Sequence, residues 1–379
     1  MWLVFLRILL SEAKIMYFIQ KRALPITTFL LSSLLLVSHT AKAAESDFRI
    51  AKDQSIEVGN LRFPTMDAYL SSSYFRETGK RCATDAKNAR LKSSSPARAE
   101  KSLADCTVTL TKIVDEYNPS VMMEIKVWFH VISKASGEGN ISDEKIKQQI
   151  VVLNEDFQAL AGTLGAGGTN SKIKFVLAGI TRTTNDEWFT DSDADAEAYK
   201  KALGKDQNKY LNVYTNDAQG NLGYAYFPFD GVAGTTRDGV VALSGSIGGR
   251  NNGFNSYDQG RTLVHEVGHY LGLHHTFEGG AACENSFTTG DLIEDTNAES
   301  ESFDGGETCA ATRSTCGNSD PVDNYMDYNK DLCMTKFTPQ QVNRMICSTV
   351  NYRPDLISFS PVRNTAGEIV PIVNLLLDQ

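Results

Sequence analysis

His265-Glu266-Val267-Gly268-His269-Tyr270-Leu271-Gly272-Leu273-His274-His275 is the stretch on which the reading of this chain turns. On a helix, His265 and His269 lie one turn apart and project from the same face. Two imidazoles so placed can take two corners of one metal tetrahedron. Gly272 accepts the left-handed conformation that stops a helix and reverses the chain, which brings His275 round as a third ligand. Three nitrogens leave one position for water, the arrangement of a catalytic rather than a structural zinc. Glu266 follows the first ligand on the face where that water would lie. It is the candidate general base, taking a proton from the water that attacks a peptide carbonyl and passing it to the leaving nitrogen. The chain has six histidines and four of them fall here. A histidine-rich helix satisfied in a core is the bland alternative, and it requires neither Glu266 nor Gly272. His274 adjoins a ligand but should point elsewhere, and His130, among apolar strand residues, reads as a core histidine.

Upstream, Ile125 to Ile132 is rich in β-branched and aromatic residues and reads as a strand. Ser142 to Leu160 reads as an amphipathic helix, with Ile146, Ile150, Leu153 and Phe157 at helical spacing behind a serine cap. Ile173 to Ile180, Leu211 to Tyr214 and Gly239 to Leu243 follow as strands, and Arg261 to Leu271 as the helix of the histidine motif. Strands alternating with helices make an α/β or α+β domain. Beyond Gly272 the chain is loop-rich until a last helix from Pro339 to Val350. From Glu45 to about Ala104 the sequence is polar and poorly periodic, and Arg90, Lys92, Arg98 and Lys101 stand open to a trypsin-like cut.

Among 379 residues, 41% are hydrophobic, enough for a real core, and the formal net charge of -9 argues against a nucleic-acid partner. Lys21 and Arg22, the apolar run Leu24 to Val37 and then Ala41-Lys42-Ala43 form an export signal that could start at Met16. The run is too short for a good membrane span, so no stable membrane insertion is expected once the signal is removed. The organisation that follows is a signal region at 1–43, a propeptide at 44–104, a catalytic domain at 105–352 and a tail at 353–379, in a secreted (extracellular or periplasmic) monomer acting on protein or peptide substrates.

The spacing of Glu266, Gly272 and the three histidines is the metzincin signature, which also needs a methionine turn below the metal. Asn324-Tyr325-Met326-Asp327-Tyr328 supplies one. With Thr276-Phe277, Asp295-Thr296 and Phe337-Thr338-Pro339-Gln340-Gln341, the stretch from about Val127 to Met345 resembles the pappalysin family, and within it the microbial ulilysin-like peptidases. The resemblance implies an α+β metzincin-type catalytic domain: a twisted mixed sheet, an active-site helix and a loop-rich lower subdomain after Gly272. It implies a zinc endopeptidase made as a zymogen, with Met326 as a hydrophobic floor beneath the metal and Tyr328 reaching the metal or the oxyanion; the alternatives are a metzincin of another branch, against which Thr276 and the methionine turn count, and a catalytically silent zinc-containing binding protein on the same fold, against which Glu266 counts. It makes Asp238 to Ser246 the edge strand that pairs with substrate, though the segment could equally be a buried strand. Relatives of this type bind calcium near Gly290-Asp291-Leu292-Ile293-Glu294-Asp295-Thr296, a loop of hard oxygen ligands that could equally be solvated acid. A preference for Arg or Lys beside the scissile bond stays open.

Seven cysteines in an exported chain suggest disulfides, with one thiol left over. The resemblance pairs Cys283 with Cys316 and Cys309 with Cys333. Arg81-Cys82-Ala83-Thr84 resembles the Arg-Cys-Gly-Thr of propeptides in relatives, where the cysteine blocks the zinc; here Ala83 replaces the glycine. If Cys82 is that switch, Cys106 pairs with Cys347. If Cys82 pairs with Cys106 instead, Cys347 is free.

Overall fold

The active-site helix, α4 (Arg261–Tyr270), starts where two partners hold one arginine. Asp331 accepts from the backbone N–H of Gln259 and of Arg261, at 3.0 Å each, so its carboxylate closes the helix N-terminus that Gly260 cannot cap with a side chain. The Arg261 guanidinium forks onto Asp156 with two contacts of 3.1 Å, both residues buried. Asp156 lies in α2 (Asp143–Phe157), so the pair locks these two helices together. At the other end, Leu273 donates to the Gly268 carbonyl and Gly272 takes φ +102°. A side chain at Gly272 would be strained at that φ and would also meet Ser348.

The computed structural model describes residues 48–51, 53, 55–77, 81–94, 106, 117–249, 256–303, 309, 313–359, 362–363 and 369–370. The export signal lies outside them, as does most of the basic linker. The central sheet is mixed, in the order β5-β4-β6-β8-β7, where β4 is Met123–Ser133, β5 Ile173–Thr184, β6 Leu211–Asn216, β7 Gly223–Ala225 and β8 Val240–Leu243. All neighbours are parallel except β7, which runs antiparallel to β8. Helices α2 and α4 cover one face, over a core that includes Val127, Phe129, Leu153, Phe157, Val213, Val264 and Val267. Helix α5 (Pro339–Tyr352) closes the same core behind a Thr338/Gln341 capping box with Pro339 in its first turn. Between Leu273 and Thr338 the described residues form only a single 3₁₀ turn and isolated bridges, a loop-rich lower subdomain. The fold is α+β, with a mixed sheet and a loop-rich lower part.

Three features go beyond what the sequence shows. First, the segment from Asp238 to Ser246 is not an edge: β8 is paired on both sides, by β6 and β7, and its residues Val240–Leu243 are all buried. The edge is β7, whose three residues Gly223–Ala225 are too short and too small to announce a strand. Second, the N-terminal segment folds. Strands β1 (Arg49–Ile50), β2 (Ile56–Val58) and β3 (Leu61–Phe63) form a small antiparallel sheet, and α1 (Thr84–Ser94) follows two short helical turns. Ile56, Val58, Tyr69, Leu70 and Phe75 are buried with Tyr199, Tyr214, Tyr224 and Val241 on the sheet face opposite α2 and α4. Its apolar residues are spaced by turns, so no helical or strand period revealed them. Third, the chain carries further structure just after 352. Strand β9 (Ile357–Phe359) pairs antiparallel with the start of β4, and buried Arg353 bonds Asp238 and the Tyr270 carbonyl.

Candidate active site

On α4 the one-turn spacing of His265 and His269 brings their Nε2 atoms to 3.0 Å. The turn at Gly272 delivers His275, whose Nε2 lies 3.2 Å from that of His265 and 3.0 Å from that of His269. Each ring is held from behind. His265 Nδ1 meets the Tyr325 carbonyl at 2.6 Å, His269 Nδ1 the Leu273 carbonyl at 2.7 Å and His275 Nδ1 the Asp85 carboxylate at 2.8 Å. These acceptors require the proton on Nδ1 and leave the Nε2 lone pairs facing one another. Three converging lone pairs repel unless a cation lies between them. Tetrahedral zinc bonded at about 2.0–2.1 Å wants its nitrogens about 3.3 Å apart, so the donor set fits that metal. Burial, then the neighbouring His275 ring, pushes His265 down to about 3 and His269 well below the usual imidazole value, so both stay in the neutral ligand form.

Cys82 Sγ is a fourth candidate donor, within 4.8 Å of all three ring nitrogens. It lies 3.3 Å from Glu266 Oε2, which Thr84 Oγ1 also approaches at 3.3 Å. Burial, then the Glu266 charge, raises the Cys82 thiol well above its ordinary value; burial raises the Glu266 carboxyl too, against the hydrogen bonds of Cys82 and Thr84. Met326 is fully buried beneath α4, so close that a Cβ on Gly268 would sit 2.5 Å from its Sδ. The turn that carries it is braced by Asn324, whose side chain accepts from the Met326 N–H and exchanges two hydrogen bonds with Gln341. Tyr328 stacks edge-on against His275. Burial, then Cys82, raises its phenol well above 10, so it is a hydrogen-bond donor, and it donates to the Cys82 carbonyl. His274 turns away, packing on Phe227 and Phe229. His130 is a core histidine, bonded to Thr181 and Asn212 and stacked on Tyr214.

The family model described as "Pregnancy-associated plasma protein-A" matches residues 194–349. An extracellular metalloprotease of Pyricularia oryzae is 38% identical over 239 residues, 61% of this chain and 76% of that protein. One of Arthroderma benhamiae is 34% identical over 266 residues, 68% of this chain and 89% of that protein. Among solved structures, promirolysin of Tannerella forsythia superposes with a TM-score of 0.60 at 29% identity, covering 73% of this chain and 96% of its own. Mature mirolysin with a cleaved peptide gives 0.53 at 32%, covering 63% and 96%.

The chain belongs to the pappalysin family.

This pappalysin is an extracellular metalloendopeptidase, and no helix among its described residues is long and apolar enough to cross a membrane. Its disulfides join Cys283 to Cys316, Cys309 to Cys333 and Cys106 to Cys347, leaving Cys82 as the free thiol. Backbone groups of residues 81–83 continue the sheet at β7: Leu222 donates to the Arg81 carbonyl at 2.8 Å, and Ala83 donates to the Gly223 carbonyl at 3.0 Å. Two residues of the pappalysin site were not anticipated. Asp85 backs His275, and Arg81 lies buried in the cavity beside the histidines, over the Tyr257 ring and near Asp327 and Asp331. Arg81 stands next to a motif residue and could have been singled out; nothing in the local sequence points to Asp85.

Proposed function

We propose that the enzyme is an exported zinc endopeptidase, made as a latent precursor in which Cys82 holds the metal position that water needs. His265, His269 and His275 are the ligands and Glu266 the general base and then acid. One observation supports this reading: the Cys82 sulfur lies within 4.8 Å of the three histidine nitrogens and stands 3.3 Å from Glu266 Oε2. When bound, zinc supplies a Lewis acid that makes water acidic near neutral pH. Glu266 accepts the water proton and returns it to the leaving nitrogen, a double role that its burial favours by raising its proton affinity. Tyr328, now on the Cys82 carbonyl, donates to the carbonyl oxygen of a substrate in the same place. Met326 keeps the floor apolar and rigid.

Pairing of the propeptide with β7 supports that strand as the one an extended substrate would join. The buried Arg81 beside Asp327 and Asp331 supports a basic side chain as the choice of the adjoining pocket. Lys21, Arg22, the run Leu24 to Val37 and Ala41-Lys42-Ala43 support export at 1–43; a propeptide at 44–104, a catalytic domain at 105–352 and action as a monomer complete the proposal.

Chelator-sensitive hydrolysis of casein by the matured protein, restored by zinc, tests the reading. Activity indifferent to chelator overturns it. Glu266→Gln should keep about one zinc per chain while activity falls by several orders of magnitude. Substantial activity in that variant would remove Glu266 from its role.

Calcium at Gly290 to Thr296 belongs to the same proposal. Asp291 is buried there and burial lifts its carboxyl to about 8; a hard cation bound beside it would favour the charged form again. Asp295 of that loop is committed to α5, accepting from Thr338 and from the Gln340 N–H. A thermal midpoint unmoved by millimolar calcium would refute the site.

A further inference from the structure

The outer partners of the three histidines differ in origin. Tyr325 and Leu273 offer carbonyls from the catalytic domain itself. Asp85 offers a carboxylate from the segment that maturation removes, 190 residues away in sequence, at 2.8 Å from His275 Nδ1. Helix α1 sets it there. Asp85 sits in the first turn, where a carboxylate suits the helix dipole. Thr84, Asn88 and Leu91 recur at helical spacing and are buried toward the catalytic domain. Thr84 Oγ1 accepts from the Ala225 N–H; Asn88 bonds both the Ala225 carbonyl and the Phe227 N–H. The helix is thus clamped along β7, and the next residue after Thr84 is aimed at the third histidine.

We propose that Asp85 is a positioning residue for the metal: it fixes and strengthens His275 as a ligand in the precursor, so that the metal is loaded before maturation and held less tightly after it. This rests on the reading of the three histidines as zinc ligands and of residues 44–104 as a removable propeptide. A carboxylate behind an imidazole holds the ring in the neutral tautomer with Nε2 free and makes that nitrogen a stronger donor than a carbonyl partner does. Cutting the chain after α1 removes two groups together, Cys82 from the metal position and Asp85 from behind a ligand. Glu278 lies in the same corner, within 4.8 Å of the ligand atoms of Asp85 and His275, but among the described residues it is Asp85 that hydrogen-bonds the ring.

The test is zinc affinity, read on uncut precursor by competition with a chromogenic chelator. Asp85→Asn keeps an acceptor and loses the charge; Asp85→Ala loses both. Affinity should fall about tenfold in the first and toward a hundredfold in the second, with Asp85→Glu closer to wild type. Lys87→Ala, on the same helix but bonded to Asp193, should leave affinity unchanged and controls for loosening of the propeptide. Cobalt-loaded precursors add a readout that a merely structural role would not move: the visible bands should shift in Asp85→Ala and stay put in Lys87→Ala. Matured enzyme should bind zinc more weakly than any of them. If Asp85→Ala melts early without metal, the Asn and Glu variants decide. Unchanged affinity in folded Asp85→Asn and Asp85→Ala overturns the inference while leaving the histidine site standing. Failure of every precursor to bind zinc would instead bring down the site itself.

Discussion

The hydroxyl of Tyr328 donates a hydrogen bond of 3.3 Å to the carbonyl of Cys82, across 246 residues of chain. A donor fixed on a carbonyl next to the metal position is placed for the oxygen that gains charge during peptide hydrolysis. Tyr328→Phe removes that donor and keeps the ring against His275 and Phe277. The matured variant should lose roughly a hundredfold in kcat with zinc content and KM little changed. A drop confined to KM would place Tyr328 in binding alone.

The proposed latency through Cys82 has a direct consequence. A neutral serine hydroxyl is a much poorer zinc ligand than a thiolate. Cys82→Ser precursor, with the basic linker substituted to prevent cutting, should hydrolyse a short peptide that wild-type precursor leaves intact. Equal silence of the two would mean that the propeptide blocks by occupying β7 and the cleft, without help from the sulfur.

Cys106 follows the linker and is bridged to Cys347 in α5 over a separation of 241 residues. Closing so long a loop costs the unfolded chain much of its freedom, and removing the bridge should lower stability by about 2–5 kcal/mol. Cys106→Ser and Cys347→Ser should each show a depressed thermal midpoint, and neither should activate the precursor. Arg344 also bonds the Cys106 carbonyl, so the serine variant keeps its anchor and the measured loss reports on the bridge.

His130 makes stability pH-dependent. Burial, partly opposed by the Asn212 hydrogen bond, lowers it from 6.5 to about 4. The unfolded chain therefore takes up this proton at a higher pH than the folded one. The contribution is fully present above pH 6.5 and is lost as pH falls toward 4, a difference of about 3 kcal/mol. Denaturant melts of wild type and His130→Gln, both zinc-saturated, should diverge least at pH 4 and most above pH 6.5. Parallel curves across that range would show that the imidazole is not held neutral.

The histidine motif was legible because it depends on local geometry. Helical spacing puts His265 and His269 on one face, and only a residue tolerant of φ +102° makes the turn at Gly272, so eleven consecutive residues specify most of a site. The helices α2 and α5 were legible through their caps and apolar spacing. Helix α3 (Asp193–Leu203) carried readable signals, a Ser192 cap, acids in its first turn and lysines in its last, and went unread. What stayed hidden depends on residues far apart in sequence. β7 is an edge because, among the described strands, it pairs with β8 alone, a fact of topology. The N-terminal segment is ordered because Tyr69 and Phe75 find the open face of a sheet built much later in the chain. From sequence alone the residues 265–275 determined a three-histidine metal motif and its helix, since backbone geometry acts over one or two turns. Only the tertiary structure decided that Cys82 is the free thiol, that Asp85 stands behind His275 and that Tyr328 meets the Cys82 carbonyl, because those contacts span 190 to 246 residues and follow from packing, which no local pattern records.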